Sequence, residues 1–358
     1  MHNEMLRKLQ HKAKLFRPIE QTDITYADGS QLDFTQCELQ DVIFSKVQFT
    51  CANFSQATLH NVTFLDCTLN GAIFDTSSLH ICTFQNCQIS DSVWQSAQLE
   101  KCTFVTTTLQ QCVWKASNLD SVTFTQCDFS QALLSNVTVT ASAWMKCELQ
   151  QSQLEYCHMR NFILNDTNFS TVELIDNVWI QGLLLNCVFI EKHFNKIQWQ
   201  HCSFNNSHFQ QCTFSAATLF GLNFSSATLQ RCQFDEVQLQ QSLFIEAKIE
   251  QTQFNQCQLD ESQFSTAHIS NVTLHSNSIE KAQFQGTVLA NTHIEQCNFT
   301  MADFSSAQFN TCTIQRSVFN HANWHNVMQQ DCQFKRNDNN ALRKTDKQRL
   351  AAESSAAA

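Results

Sequence analysis

Four side chains of the kinds that bind divalent metals recur at intervals of twenty residues, and they are His60, His80, Glu100 and Asp120. Imidazole and carboxylate groups are common ligands of divalent cations in proteins. If the chain returns to the same surface every twenty residues, these side chains stack in one column and form a candidate metal site. The simpler interpretation of the column is a solvated polar ladder, and the sequence favours this second interpretation.

The rest of the sequence offers little catalytic chemistry. It contains no nucleophile motif, no phosphate-binding glycine loop and no His-Glu-x-x-His pattern. Its five glycines and single proline leave few loops on which a catalytic or cofactor site usually lies. The sequence therefore predicts neither an enzyme nor a bound cofactor.

A five-residue period accounts for the positions of these polar groups. From Phe34 to Phe334, every fifth residue is a large apolar residue except Gln329. A second stripe of small residues runs two positions earlier, as Ala52 precedes Phe54. A period of five fits neither a helix nor a strand, so the chain must turn a corner every five residues. Four such sides make a coil of about twenty residues, and stacked coils pair at the strand spacing of about 4.8 Å.

The cysteines follow the stripe of small residues. Seventeen of the 18 cysteines fall on it, and only Cys51 does not. Free cysteine behaves as a small buried apolar residue, so the pattern favours reduced core packing in a cytoplasmic protein. Pairs that stack on successive coils, such as Cys67 and Cys87 or Cys127 and Cys147, are the alternative sites for disulfides, but parallel side chains give poor disulfide geometry.

This pattern resembles the pentapeptide-repeat family, whose members fold as a right-handed quadrilateral β-helix. The resemblance covers about residues 32 to 334, and it includes the Asp or Asn that the family often carries before the large residue, as at Asn53, Asp128 and Asp303. It implies an all-β solenoid of about fifteen coils. Most units here carry Thr, Gln or Val at that position instead.

Three segments follow from these patterns. Residues 1–31 are expected to form an N-terminal cap with a short amphipathic helix over residues 2–16, residues 32–334 the β-helix, and residues 335–358 a partly disordered tail. A short helix from about residue 340 to 352, or a partner, is expected to cover the C-terminal end. We expect no membrane span, because no apolar run reaches the necessary length.

One segment, from about residue 160 to 199, departs from the pattern of small residues. Apolar residues also stand there at positions that should face water. Either the frame slips by one residue, or one coil exposes an apolar belt, which commonly marks a binding surface. Both alternatives make this segment the candidate partner-binding site, and its residues are Ile175, Val178, Ile180, Leu183, Leu185, Val188 and Ile190.

Charge argues against direct binding of nucleic acid. The 358-residue chain has a net charge of −10, and its positive charges concentrate at the two ends. Phosphate attraction requires Lys and Arg, so we expect protein partners instead. The ends of the β-helix are additional candidate surfaces for a homodimer.

Two functions remain. The first is a non-catalytic interaction scaffold or adaptor in the bacterial cytoplasm. Here the resemblance is to pentapeptide-repeat proteins that accompany type VI secretion, which implies spike or effector proteins as partners. The alternative, also implied by the family, is a DNA mimic that binds DNA gyrase and protects it from quinolones. The columns argue against the mimic, because Asp75, Lys115 and Glu155 fall in one column of mixed charge.

Overall fold

The computed structural model describes Leu6, His11 and residues 18–356. The chain divides into two compact units, unit 1 (Met1–Leu183) and unit 2 (Leu184–Ala358). Most of the predicted N-terminal helix lies outside the described residues, although Leu6 and His11 are helical and Leu6 is buried.

The strands of unit 1 are short and lie on three sides of its coils, while the fourth side pairs through isolated bridges such as that of Gln48 with Thr68. Two longer strands come first, β1 (Ile19–Thr25) and β2 (Glu38–Ser45). One side then carries β3 (Thr58–His60), β5 (Ser78–His80), β8 (Gln98–Glu100), β11 (Asn118–Asp120), β14 (Thr138–Thr140), β17 (His158–Arg160) and β20 (Val178–Ile180). The next carries β4 (Thr63–Leu65), β6 (Thr83–Gln85), β9 (Thr103–Val105), β12 (Thr123–Thr125), β15 (Ala143–Met145) and β18 (Ile163–Asn165). A third carries β7 (Val93–Gln95), β10 (Val113–Lys115), β13 (Leu133–Ser135), β16 (Gln153–Glu155) and β19 (Glu173–Ile175). Strand β21 (Leu183–Leu185) contains the border between the units.

Unit 2 repeats this organisation. One sheet contains β22 (Val188–Ile190), β25 (His208–Gln210), β27 (Thr228–Gln230), β29 (Lys248–Glu250), β31 (His268–Ser270), β33 (Val288–Ala290), β35 (Gln308–Asn310) and β37 (Met328–Gln330). A second contains β23 (His193–Asn195), β26 (Thr213–Ser215), β28 (Gln233–Asp235), β30 (Gln253–Asn255), β32 (Thr273–His275), β34 (His293–Glu295), β36 (Thr313–Gln315) and β38 (Gln333–Lys335). Strand β24 (Gln198–Gln200) and the C-terminal helix α1 (Lys347–Ala356) complete the elements.

All pairings join equivalent positions of successive coils in parallel, as Leu59 pairs with Leu79. The pairing begins at Ile19, which faces Leu39, and it continues to Arg343, which faces Asn323. This confirms the predicted β-helix of pentapeptide repeats, and the solenoid has about 16 turns. Within each unit most residues of the small and large stripes are buried, so each unit has a core of stacked inward-facing side chains.

Each corner requires one residue in the left-handed conformation. The residue two places after each large apolar position has a positive φ, such as 57° at Gln56 and 58° at Gln111. Glycine adopts this conformation most easily, yet most of these corners carry polar residues. Their side chains bond to the same corner on the next coil, as Gln36 Nε2 donates to Gln56 Oε1 at 2.7 Å and Gln111 Nε2 to Gln131 Oε1 at 2.8 Å. These side-chain hydrogen bonds between successive coils offset part of the free-energy cost of the left-handed conformation.

The corners are of two kinds, and the small stripe reflects the difference. At a tight corner the carbonyl of the large residue accepts a backbone bond, as Phe49 O does from Ala52 N at 2.9 Å. At an open corner the carbonyl accepts a bond from a side chain on the next coil. The Cys127 thiol donates to Phe104 O at 3.4 Å and the Ser142 hydroxyl to Leu119 O at 3.2 Å. Where cysteine or serine stands at an open corner, it satisfies a buried carbonyl that would otherwise be costly.

Aromatic rings stack along the core. In one column, ring centroids lie 5.0 Å apart for Phe54 and Phe74 and 4.5 Å for Trp94 and Trp114. The facing column meets it edge to face, as Phe74 and Phe84 do at 6.3 Å with an interplanar angle of 85°. Offset stacks and edge-to-face contacts are both favourable for aromatic rings, so the core is held along and across its axis.

The frame does not slip within the irregular segment of unit 1. Trp179 stays buried at its large position, and Asn177 and Gly182 stay buried at the small positions. Two unusual residues of the small stripe, Phe162 and Gly182, fit together in size. The large Phe162 ring occupies the space beside Gly182, where an added Cβ would lie 2.3 Å from Phe162 Cζ. Asn177 acts as a bridge, since its amide donates to Leu154 O at 2.8 Å and accepts from Cys157 N at 2.9 Å.

We predict that Gly182→Ala destabilises the protein, because the added methyl group overlaps the Phe162 ring. Overpacking of this kind costs about 1–3 kcal/mol. Combining it with Phe162→Leu should restore part of the loss, since the smaller side chain vacates the space. The midpoint of thermal unfolding measures both effects. A double variant that is as unstable as the sum of the two single variants contradicts this packing.

We also predict that Asn177→Leu costs about 2 kcal/mol or more, because it leaves a buried carbonyl and a buried N–H without partners. Asn277→Leu should behave alike in unit 2, where Asn277 bridges Phe254 O and Cys257 N, each at 2.8 Å. Urea unfolding measures the losses. The control, Asn118→Leu on the outward side of β11, should change stability by about 0.5 kcal/mol at most.

Candidate functional site

One side of unit 1 carries the predicted metal column. We call it the histidine face and define it as the outward side chains of β3, β5, β8, β11, β14, β17 and β20. The register stacks His60, His80, Glu100 and Asp120 as their spacing predicts. The rings of His60 and His80 lie parallel with centroids 5.0 Å apart, and their Nδ1 atoms are 3.0 Å apart. His80 Nε2 lies 3.5 Å from Glu100 Oε1.

The side chains of the column contact one another or neighbouring residues. Glu100 Oε1 accepts a bond from Lys101 Nζ at 2.9 Å, and this contact, aided by His80, lowers the pKa of the Glu100 carboxyl. Asp120 Oδ1 accepts a bond from the Ser121 hydroxyl at 3.0 Å. Within the described chain, no group of three or more His, Cys, Asp or Glu side chains is arranged to hold a metal ion. The histidine face is thus a polar ladder that a neighbouring lysine neutralises in part.

The same face becomes apolar at its other end. The column continues through Thr140 and Arg160 to Ile180, and the column beside it ends in His158 and Val178. Val178 and Ile180 are half-buried and outward, and with His158 and Arg160 they line a shallow groove of about 170 Å³. An apolar pair beside a cation and an imidazole is the kind of surface that can bind another protein.

The remaining residues of the predicted belt are distributed over several sides. In unit 1, Ile175 lies on β19, whereas Leu183 lies in β21 and is 44% exposed. In unit 2, Val188 and Ile190 lie together on β22 and are half-buried, as is Leu185. The structure therefore brings Val178 together with Ile180, and Val188 with Ile190, but it does not gather the unit 1 members on one flat patch.

The spacing analysis missed one charged cluster in unit 2. The side chain of Glu295, only 15% exposed, lies 3.6 Å from His275 Nδ1 and 3.6 Å from His293 Nε2. Arg316 pairs with it, and Gln315 Nε2 donates to it at 3.1 Å. The interval of twenty residues between His275, Glu295 and Gln315 would have indicated this cluster from the sequence. This cluster holds one carboxylate among donors from three coils.

The cysteines are free thiols, and seventeen of them serve the core stripe. Burial raises the pKa of Cys157 to about 11 and that of Cys112 to about 12. In the stacked pair, the hydrogen bond with Cys67 and burial raise the pKa of Cys87. Reactive cysteines need an exposed thiolate, so these thiols are packing and hydrogen-bonding groups. Cys51 is the exposed exception.

These features define a class of protein: a parallel β-helix with a corner every five residues and no metal-binding cluster among its described side chains. Family models agree with this. A pentapeptide repeat region matches residues 207–284, and pentapeptide repeats match residues 30–66, 97–136 and 280–316. The chain belongs to the pentapeptide-repeat family. No curated protein is significantly similar to it in sequence.

Several solved structures are similar to this chain. HetL, a pentapeptide repeat protein involved in heterocyst differentiation regulation in the cyanobacterium Nostoc sp. strain PCC 7120, is 15% identical, with 68% of this chain and 92% of HetL covered at a TM-score of 0.44. Full-length QnrB1, a plasmid-mediated fluoroquinolone resistance protein, is 14% identical over 71% of this chain and 99% of its own, with a TM-score of 0.26. A thylakoid lumen pentapeptide repeat protein from Arabidopsis thaliana is 27% identical over 26% of this chain and 63% of its own, with a TM-score of 0.21.

No helix among the described residues has the length and hydropathy that a membrane crossing requires.

We predict that iodoacetamide at mildly alkaline pH modifies Cys51 and the half-buried Cys332 in the native protein and leaves the buried cysteines unmodified. Burial blocks access, and a raised pKa leaves little thiolate at Cys112 or Cys157 at that pH. Mass spectrometry before and after unfolding in urea gives the count of modified residues. Rapid labelling of Cys112 or Cys157 in the folded protein is the contrary result.

Proposed function

We propose that this protein is a non-catalytic scaffold that binds a protein partner through the histidine face of unit 1. The observation that carries the proposal is the outward pair Val178 and Ile180, which lines a shallow groove with His158 and Arg160. Outward apolar residues on a continuous sheet gain free energy when a partner covers them, at about 25 cal/mol per Å² of apolar area buried.

The architecture favours binding over catalysis. The side chains of the histidine face stack in register and bond to their neighbours, so the face is held rigid before it meets a partner. A preorganised surface loses less entropy on association than a mobile loop does. Val188 and Ile190, side by side on β22 of unit 2, form a second apolar pair that we include in the proposed binding function.

The charges also favour a scaffold over a DNA mimic. Duplex mimicry needs continuous ridges of carboxylate, whereas Asp235 lies on β28 and Glu250 on β29, in different sheets of unit 2. On the histidine face, Lys101 pairs with Glu100, and Arg160 follows further along.

A secretion spike or effector protein is the partner class that the family resemblance suggests, and we include such proteins among the candidates to be tested.

The test is a double variant, Val178→Ser with Ile180→Ser, used as bait in an extract of the native cell beside the wild-type protein. We expect the partner captured by the wild type to be lost, with affinity for the purified partner falling about 10- to 100-fold, because two apolar anchors disappear. Quantitative mass spectrometry identifies the partner, and titration calorimetry gives the affinity.

Val105→Ser on β9 is the matched control, because it makes the same chemical change at a half-buried outward position of another side. It should retain the partner, and circular dichroism should show both variants folded. If the double variant binds every wild-type partner with unchanged affinity, the histidine face is not the binding surface.

A further inference from the structure

The last coil of unit 2 opens into a cavity of about 490 Å³ that we call the C-terminal mouth. Its lining includes Trp324, Val327, Gln329, Phe334, Leu342 and Lys344. Cavities of this size, with apolar walls and a few polar groups, are typical of binding sites for side chains and small molecules. It lies in unit 2, whereas the histidine face lies in unit 1.

The mouth exists because the apolar pattern ends there. The inward large positions of this coil are Gln329, Asn339 and Lys344 in place of aromatic or aliphatic residues, and all three are exposed. Phe334 remains at its large position but is 38% exposed, and Met328 on the outer side is 53% exposed. The coil therefore presents an incompletely filled core with polar side chains at its opening.

The backbone of the same coil also lacks a neighbouring strand on one edge. Strand β37 pairs with β35, and β38 pairs with β36, and each is the terminal strand of its sheet among the described residues. Helix α1 does not take the place of a further strand, since Glu353 contacts His325 on the preceding coil at 3.1 Å. An edge strand with unpaired N–H and C=O groups is a template for another strand.

The net charge around the C-terminal mouth favours an acidic partner. Six basic and three acidic residues follow Phe334 in the sequence. The acidic ones, Asp338, Asp346 and Glu353, offset half of this positive charge, and Glu353 pairs with Arg349 within α1. In contrast, Lys335, Arg336 and Lys344 are exposed and form no ion pair within the described chain. The opening is therefore positively charged.

The lining of the mouth offers hydrogen-bond donors that suit acceptors on a partner. Gln329, Asn339 and Lys344 bring amide and ammonium donors to it. A second copy of this chain, docked end to end by two-fold symmetry, would bring like charges together, which is unfavourable.

We propose that the C-terminal mouth binds an acidic, extended segment of a partner protein, which adds a strand to the edge of β38 and inserts an apolar side chain into the cavity beside Trp324 and Phe334. Main-chain bonds along a sheet edge provide affinity, and a pocket for alternate side chains provides specificity. The inference rests on the proposed scaffold function but places a distinct partner segment on a different surface.

The test measures fluorescence anisotropy of two labelled peptides with the full-length protein. One peptide alternates Glu and Thr around a central Phe, and the other has Lys in place of Glu. We expect the acidic peptide to bind at least about tenfold more tightly than the basic one, and replacing its central Phe by Ser to weaken binding about tenfold, as the loss of one buried apolar anchor does.

Two charge-reversed variants decide whether the mouth is the site. Arg336→Glu with Lys344→Glu should weaken binding of the acidic peptide about tenfold or more through repulsion. Lys196→Glu with Lys248→Glu makes the same charge change at exposed positions elsewhere in unit 2, and it should leave affinity within about twofold if the attraction is local.

Three results would overturn the proposal: equal binding of the two peptides, absence of binding by the acidic peptide, or equal weakening by both charge-reversed variants. A dimer in light scattering that dissociates on Phe334→Ser would identify a second copy as the occupant and also overturn it. Failure here leaves the Val178 and Ile180 test of the histidine face unaffected, because that test uses another surface and another variant.

Discussion

The structure depends on satisfying every backbone group of a chain that turns a corner every five residues. Coil-to-coil ladders pair the strands, but each corner leaves a carbonyl that the ladder does not reach. Tight corners close on themselves, as Phe49 O does with Ala52 N. Open corners depend on a thiol, hydroxyl or amide from the next coil, as with Cys127, Ser142 and Asn177. Because buried polar groups must be bonded, this requirement selects the residues of the small stripe.

This constraint connects the core to the surface. Once small and large residues alternate inward, the three other residues of each unit lie outside at fixed positions. Outward residues twenty apart in sequence are then neighbours, which is why His60 meets His80 and why Glu295 meets His275. The surface of such a solenoid therefore consists of columns of side chains from successive coils. Its binding properties change where a column passes from polar to apolar side chains. The histidine face changes in this way at Val178 and Ile180.

The ends of such a solenoid differ from its sides. Along the sides of each unit most strands lie between two paired neighbours, so side chains distinguish one place from another. At the C-terminal mouth the apolar pattern gives way at Gln329, Asn339 and Lys344, and both core and backbone are open. Stability in repeat arrays comes from neighbouring units, so a terminal coil lacks half of its contacts. The positive charge around Lys344 then favours an acidic segment as the strand that pairs with this coil.

The period of five determined the fold, the inward residues, the twenty-residue register and the placement of seventeen cysteines on the inward stripe, because these follow from local spacing alone. The sequence did not determine the left-handed corner at residues such as Gln56, since few of these corners carry glycine. Nor did it show that Gly182 makes room for Phe162, or that Asn177 bridges two backbone groups, because these depend on contacts between coils. The frame around Ile180 and the cavity beside Phe334 were likewise decided by tertiary structure. A repeat pattern specifies which residues face the core, but only packing in three dimensions specifies how well each one fills its space and which polar atoms remain without a partner.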